Sequence, residues 1–377
     1  MKGKQGMVCM GLLLVLSSCH TGKQITASGL QRKDFQTEVN GQHTDLFTLS
    51  NKQGMEVCIT NYGARVVSIL VPDRNGKRED VVCGFSTITE YMEQRQNFGS
   101  TVGRYIGRIL NARFTLDGVE YKLVPNNGKS GHISHGGNPG FADRIWKVEQ
   151  ADTHRVRLSY LSPDGENGFP GNLKVTLVYS LGEDDNALDL TYEATTDAPT
   201  VLNLSHHSFF NISGNFTKSV EDQQLWVDAD RFTPYDDKKC VTGEYLQVAG
   251  TPLDFRMPHT IGECIDADHP QLKVVNGYDH TWELNTKGDD TRPAAWVYDP
   301  ASGRKMEIFT TEPGMQIYTG NGLKGKMTGK RGIAYPFRSA VCFETMHFQD
   351  SPNQPGFPST VLRPGEVFRS HTVYKFE

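Results

Sequence analysis

The stretch Leu173-Lys-Val-Thr-Leu-Val-Tyr-Ser-Leu181 is followed, after Gly182 to Asn186, by Ala187-Leu-Asp-Leu-Thr-Tyr-Glu-Ala194. In the first run Leu173, Val175, Leu177, Tyr179 and Leu181 alternate with Lys174, Thr176 and Ser180. In the second, Leu188, Leu190, Tyr192 and Ala194 alternate with Asp189, Thr191 and Glu193. A period of two sends one set of side chains to one face of an extended chain, and two such runs around a Gly-led linker predict a β-hairpin. The same rhythm returns in Val156, Leu158 and Tyr160. It appears again in Trp296-Val-Tyr298, which passes through Asp299-Pro-Ala-Ser-Gly303 to Met306-Glu-Ile308. Helical spacing is confined to a short segment around Thr87 to Arg95. With 38 glycines and 18 prolines dividing many short strands, the pattern predicts an all-β protein, a large antiparallel β-sandwich whose functional groups lie on inward strand positions or adjoining loops.

The chain as a whole has 377 residues, of which 37% are hydrophobic, enough for a sizeable core. Its net charge is only −5 and it has no long basic run, so neither nucleic acid nor an acidic membrane surface is an expected partner. At the N-terminus Lys2 and Lys4 precede an apolar run from Met7 to Leu16, then Leu16-Ser-Ser-Cys19. This layout predicts an export signal over residues 1–18, since the run is about half of the ~20 residues a spanning helix needs. Leu-Ser-Ser-Cys resembles the lipobox of bacterial lipoproteins, which implies lipidation of Cys19 and an exported, membrane-anchored protein, periplasmic or at the cell surface. The polar residues 19–34 then read as a tether and 35–377 as one folded domain, because no composition break or short repeat divides them. Cys58, Cys83, Cys240, Cys264 and Cys342 are odd in number and form no Cys-x-x-Cys pair, so they read as small buried thiols rather than a disulfide framework or zinc site.

Several segments carry groups suited to chemistry. In Val341-Cys-Phe-Glu-Thr-Met-His347, alternation puts Glu344 on one face with Cys342 and Met346, and apolar neighbours raise the proton affinity of a carboxylate toward that of a base useful near neutral pH. In Asn203-Leu-Ser-His-His-Ser-Phe-Phe-Asn211, His206 and His207 point to opposite sheet faces, which leaves one for a site and one for the scaffold and argues against joint metal binding. His132-Ile-Ser-His-Gly-Gly137 presents His135 on a tight loop, again without a completed metal-ligand set. Arg104 and Arg108, with Asn126 and Asn127, offer planar donors of the kind that grip hydroxyl groups. Asn276-Gly-Tyr-Asp-His-Thr-Trp282 adds Asp279, and the run from Glu312 to Asn321 adds Gln316 and Tyr318. Carboxylate, amide and aromatic groups together suit a sugar.

Taken in order, these segments resemble the aldose 1-epimerase (galactose mutarotase) family. The matching stretches are Asn97-Phe-Gly-Ser-Thr-Val-Gly-Arg-Tyr-Ile-Gly-Arg-Ile109, His135-Gly-Gly137, Gly165-Glu-Asn-Gly-Phe-Pro-Gly-Asn-Leu173 and His207-Ser-Phe-Phe-Asn-Ile212. Gly277-Tyr-Asp-His280, Pro313-Gly-Met-Gln-Ile-Tyr-Thr-Gly-Asn321, Phe343-Glu-Thr345, Pro355-Gly-Phe-Pro-Ser359 and Leu362-Arg-Pro-Gly-Glu366 continue them. Each alone is weak; their ordered concurrence over nearly the whole mature chain is specific. The resemblance implies a mutarotase-like supersandwich with a concave cleft for an aldose and neither cofactor nor metal. It further implies His207 as acid and Glu344 as base in opening and reclosing a hexose ring, with Arg108, His135, Asp279 and Gln316 holding hydroxyls. Many relatives carry Asn where this chain has Gly107, Asn where it has His206 and Gln where it has Met346; the first change bears on substrate preference. Two rival readings use the same residues: a glycoside hydrolase with Asp279 and Glu344 as its carboxylates, and a sugar-binding lipoprotein without catalysis.

Overall fold

The computed structural model describes residues 24–377. The expected export signal and Cys19 lie outside the described residues. Leu173–Leu181 and Ala187–Thr196 form the expected hairpin, with Leu181 opposite Leu188 and Leu173 opposite Thr196. Every apolar position named for the two runs is buried. Each Leu and Val among them contributes roughly 1.5–3 kcal/mol when fully withdrawn from water, so a one-residue slip, which would turn the whole row outward, is strongly disfavoured.

This hairpin sits in a nine-stranded sheet with the order Lys147–Ala151, Arg155–Ser162, Leu173–Leu181, Ala187–Thr196, Phe368–Phe376, Lys305–Thr310, Ala295–Tyr298, Gln224–Val227 and His259–Thr260. A six-stranded sheet runs Phe209–Phe210, Val341–Met346, Gly314–Tyr318, Asp279–Glu283, Arg231–Thr233 and Leu246–Gln247. Both sheets are antiparallel throughout. Their inner faces meet in one core, where Tyr179, Leu190 and Tyr374 of the larger sheet join Trp282, Ile317 and Phe343 of the smaller. The Tyr374 hydroxyl crosses between them to donate to the Phe343 carbonyl at 3.0 Å. A four-stranded sheet, Leu46–Ser50, Glu56–Thr60, Arg65–Pro72 and Arg78–Asp80, adds the N-terminal part. The architecture is the expected all-β sandwich.

The expected short helix spans Ile88–Gln94. Thr87 Oγ1 accepts from the Glu90 N–H and the Glu90 carboxylate accepts from the Thr87 N–H, and the helix ends at Arg95 in a left-handed conformation. A second helix, Pro270–Val275, was not anticipated, because six residues are too few to display a helical period.

The C-terminal part of the segment read as a tether packs on the domain. Thr26, Ser28 and Leu30 are already buried, and the Ala27 and Ser28 N–H groups donate to Glu56 Oε1 at 2.7 and 3.2 Å. Leu30 and Phe35 anchor the segment in a core cluster with Cys58 and Val67. Its polar composition hid this docking, which Leu30, Phe35, the bonds to Glu56 and the pairing of Arg32 with Asp45 hold in place.

Candidate active site

The strand Val341–Met346 is buried on both faces. Val341 and Phe343 enter the inter-sheet core, while Cys342, Glu344 and Met346 face the other way. Antiparallel register then sets Glu344 opposite Gln316, Gln316 opposite Thr281, and Asp279 opposite Tyr318. Three neighbouring strands therefore aim Glu344, Gln316 and Asp279 to one side of the smaller sheet. His207 arrives on Ser205–His207, paired with Ser100–Val102. Arg108 and His135 come from a second pairing, Arg108–Ile109 with Ile133–Ser134. His135 adopts a left-handed backbone, φ 53°, and its N–H donates to the Gly107 carbonyl at 2.9 Å, which turns the ring toward His207.

All six residues expected to act on the sugar, Arg108, His135, His207, Asp279, Gln316 and Glu344, line one cavity of about 250 Å³. Phe209 and Tyr318 add aromatic surface to it. His207 Nε2 lies 3.2 Å from Glu344 Oε1, with both side chains nearly inaccessible. The imidazole stacks on Phe209 at 5.1 Å and meets the His135 ring edge-on at 5.5 Å. Its Nδ1 has no hydrogen-bond partner among the described residues, so packing rather than a second acceptor orients the ring.

The charges follow from burial. Desolvation, reinforced by Asp279, pushes the Glu344 carboxyl well above its ordinary range. Desolvation, with His135 and Arg65 nearby, pushes His207 well below its own. Both shifts rest the pair's single proton on Glu344, and the form with a carboxylate base and an imidazolium acid is reached by passing that proton across the 3.2 Å contact to His207 Nε2. His135 is brought down to about 4 by burial and then by Arg108, so it serves as a neutral partner. Asp279 is raised by burial against the opposing pull of Arg108 and Gln316. Its Oδ1 accepts from Gln316 Nε2 at 2.7 Å. A carboxylate tied in this way holds a ligand better than it moves a proton.

Four candidates fall elsewhere. Arg104 turns into the scaffold, donating to Ser162, to the Pro170 carbonyl at 2.7 Å and to the Gly171 carbonyl at 3.0 Å. His132 accepts from the Asn111 N–H at 2.9 Å and approaches Cys240 Sγ at 3.3 Å, apart from the cavity. Asn126 exchanges two hydrogen bonds with the Ser134 backbone, bracing the approach to His135, and with Asn127 it lines a neighbouring hollow. Cys342, expected only as a buried thiol, brings Sγ within 4.8 Å of donor atoms of His207 and Glu344. Burial pushes that thiol well up and so favours its protonated form, a poor ligand. Cys58 and Cys83 are buried as expected, but Cys240 and Cys264 are partly exposed. Sequence reasoning missed Gln349, which lines the cavity, and Tyr235, which supports it; each arrives from a loop far along the chain, and nothing local marks either.

The family model for aldose 1-epimerase matches residues 45–375. The galactose mutarotase of Bos taurus is 40% identical over 331 residues, covering 88% of this chain and 93% of that protein. The aldose 1-epimerase of Escherichia coli strain K12 is 36% identical over 340 residues, covering 89% and 96%. Among solved structures, an aldose epimerase homologue from C. elegans superposes with a TM-score of 0.81 at 31% identity, covering 89% of this chain and 99% of that one. A galactose 1-epimerase from Lactobacillus acidophilus gives 0.78 at 28%, covering 90% and 96%. The fold and its cleft are those of a mutarotase-type isomerase. The chain belongs to the aldose 1-epimerase family.

Proposed function

We propose that this enzyme interconverts the α and β anomers of hexoses such as glucose and galactose, with Glu344 as base and His207 as acid. The contact between His207 Nε2 and Glu344 Oε1 at 3.2 Å inside a polar cleft carries this reading. The hemiacetal hydroxyl and the ring oxygen share one carbon, C1, so neighbouring groups can reach both. Glu344 takes the proton of the C1 hydroxyl while His207 gives one to the ring oxygen. The bond from C1 to the ring oxygen breaks as the C1 carbonyl forms. The open aldehyde turns about C1–C2, and the reverse transfers close the ring on its other face and restore both groups. Each proton-transfer partner contributes on the order of 10²- to 10⁴-fold.

Arg108, His135, Asp279 and Gln316 hold the hydroxyls. The link from Gln316 to Asp279 favours this division of labour over a hydrolase in which Asp279 would be the second carboxylate. Polarimetry of fresh α-glucose and α-galactose tests the reading: the enzyme should speed the approach to anomeric equilibrium and release no sugar from glycosides. An unchanged rate would leave a binding protein, and glycoside cleavage a hydrolase. Leu16-Ser-Ser-Cys19 supports export and lipidation at Cys19. The protein should then partition with bacterial membranes, and Cys19→Ala should release it or misdirect it; no lipid mass on the Cys19 peptide would rule the anchor out.

A further inference from the structure

Beside Arg108 the cavity wall is built by two residues that interlock. Gly107 has φ 75°, and a β-carbon there would lie 2.5 Å from Gln349 Cγ and 3.1 Å from its Cδ. A side chain at 107 and the Gln349 side chain as it stands exclude each other. Gln349 is 4% exposed, and its amide is held on three sides. Nε2 donates to the Tyr235 hydroxyl at 2.7 Å and to Gln316 Oε1 at 3.3 Å, which uses both of its hydrogens. Oε1 accepts from the Arg108 N–H at 3.3 Å and keeps one lone pair. Since Gln316 also donates to Asp279, the Gln349 amide ties the backbone of one sugar-holding residue to the side chains of two others. Met346, fully buried against the same cavity, offers no polar atom that could replace it.

We infer that Gln349 determines which sugar epimers the site accepts: it occupies the space a side chain at 107 would fill, presents a single acceptor to a sugar hydroxyl and fixes the direction of Gln316. The inference rests on the anomer-exchange reading. A wall with one remaining acceptor and no remaining donor rewards a hydroxyl aimed at it. An epimer that directs the hydroxyl elsewhere leaves that acceptor unpaired, a penalty on the order of 10-fold in kcat/KM. Because the acceptor holds substrate and takes no part in the proton transfers, its loss should appear mainly in KM.

The test measures anomer exchange by NMR saturation transfer for glucose, galactose, mannose and xylose. It compares wild type with Gln349→Ala, Gln349→Met, Gly107→Asn and the double variant Gly107→Asn/Gln349→Ala. Gln349→Met keeps the volume packed against Gly107 while removing the amide, so it reports even where Gln349→Ala folds poorly. Gln349→Met should raise KM about 10-fold for the preferred sugar, change kcat less, and alter the ranking of the four sugars. Gly107→Asn should be strongly impaired by overlap with Gln349, and the double variant should recover most of that loss with a ranking of its own. An unchanged ranking in Gln349→Met, or a double variant no better than Gly107→Asn alone, overturns the inference. Wild-type protein that exchanges no anomers overturns the mutarotase reading and the inference with it.

Discussion

His206 and His207 are adjacent in one strand, equally buried, and both are held below the ordinary imidazole range by desolvation. They differ in what surrounds the ring nitrogens. His206 points into the core between Tyr179 and Tyr374, with Nδ1 3.4 Å from the Tyr179 hydroxyl and Nε2 2.7 Å from Ser208 Oγ. His207 points into the cavity with Nε2 toward Glu344 and Nδ1 unpartnered among the described residues. Burial alone therefore does not separate the proposed acid from its neighbour. What marks it is incomplete satisfaction beside a second titratable group, whereas the satisfied ring is part of the scaffold.

The largest test of this contrast is Glu344→Gln, which keeps size and hydrogen bonding but cannot take a proton. Its kcat should fall by about 10²-fold or more with little change in sugar affinity by calorimetry, and near-normal turnover in folded protein would remove Glu344 as the base. His207→Asn should fall comparably, and the double variant should be little worse than either single change, because both transfers serve one event. The wild-type pH profile should be bell-shaped, since the active pair carries one proton. A second proton, entering below the ordinary range of His207, forms the acidic limb. Loss of the shared proton, above the ordinary range of Glu344, forms the alkaline limb; Glu344→Gln leaves His207 as the titrating acid, so its residual activity should lose the acidic limb and fall as the pH rises through the imidazole pKa. Arg108→Ala removes a holding group rather than a proton carrier, and should raise KM roughly 10- to 100-fold with a smaller effect on kcat. His206→Leu should affect turnover least: it should lower unfolding stability by about 1–3 kcal/mol, read from the denaturant midpoint, while kcat stays near wild type. A kcat loss matching that of His207→Asn would erase the distinction between the two rings.

What was legible in the sequence was whatever follows from a local period. The hairpin 173–194 has one face in the core and one facing outward, so its alternation survives in the residue types. Val341–Met346 is buried on both sides, and there Glu344 stood out only because a carboxylate interrupts an apolar run. The six residues proposed to act on the sugar were reached through ordered motifs rather than spacing, because the cavity joins strands that are neighbours in register yet distant in sequence. Arg104 misled for a physical reason: a guanidinium offers the same donors to main-chain carbonyls as to sugar hydroxyls. Gln349 was invisible because its role depends on the missing side chain of Gly107, a contact that exists only in three dimensions.

The order of the large sheet has a consequence for how the chain is made. Phe368–Phe376 lies between Ala187–Thr196 and Lys305–Thr310, so the strand that follows the other eight of this sheet in chain order is also the bridge between two halves translated before it. Until it inserts, each half presents an unpaired edge, and Tyr374 is missing from the contact that ties the sheets together. Nascent chains halted before residue 368 should accordingly engage chaperones and remain open to protease, and the sheet should close in one late, cooperative step, slow because the pairings it completes span so much of the sequence.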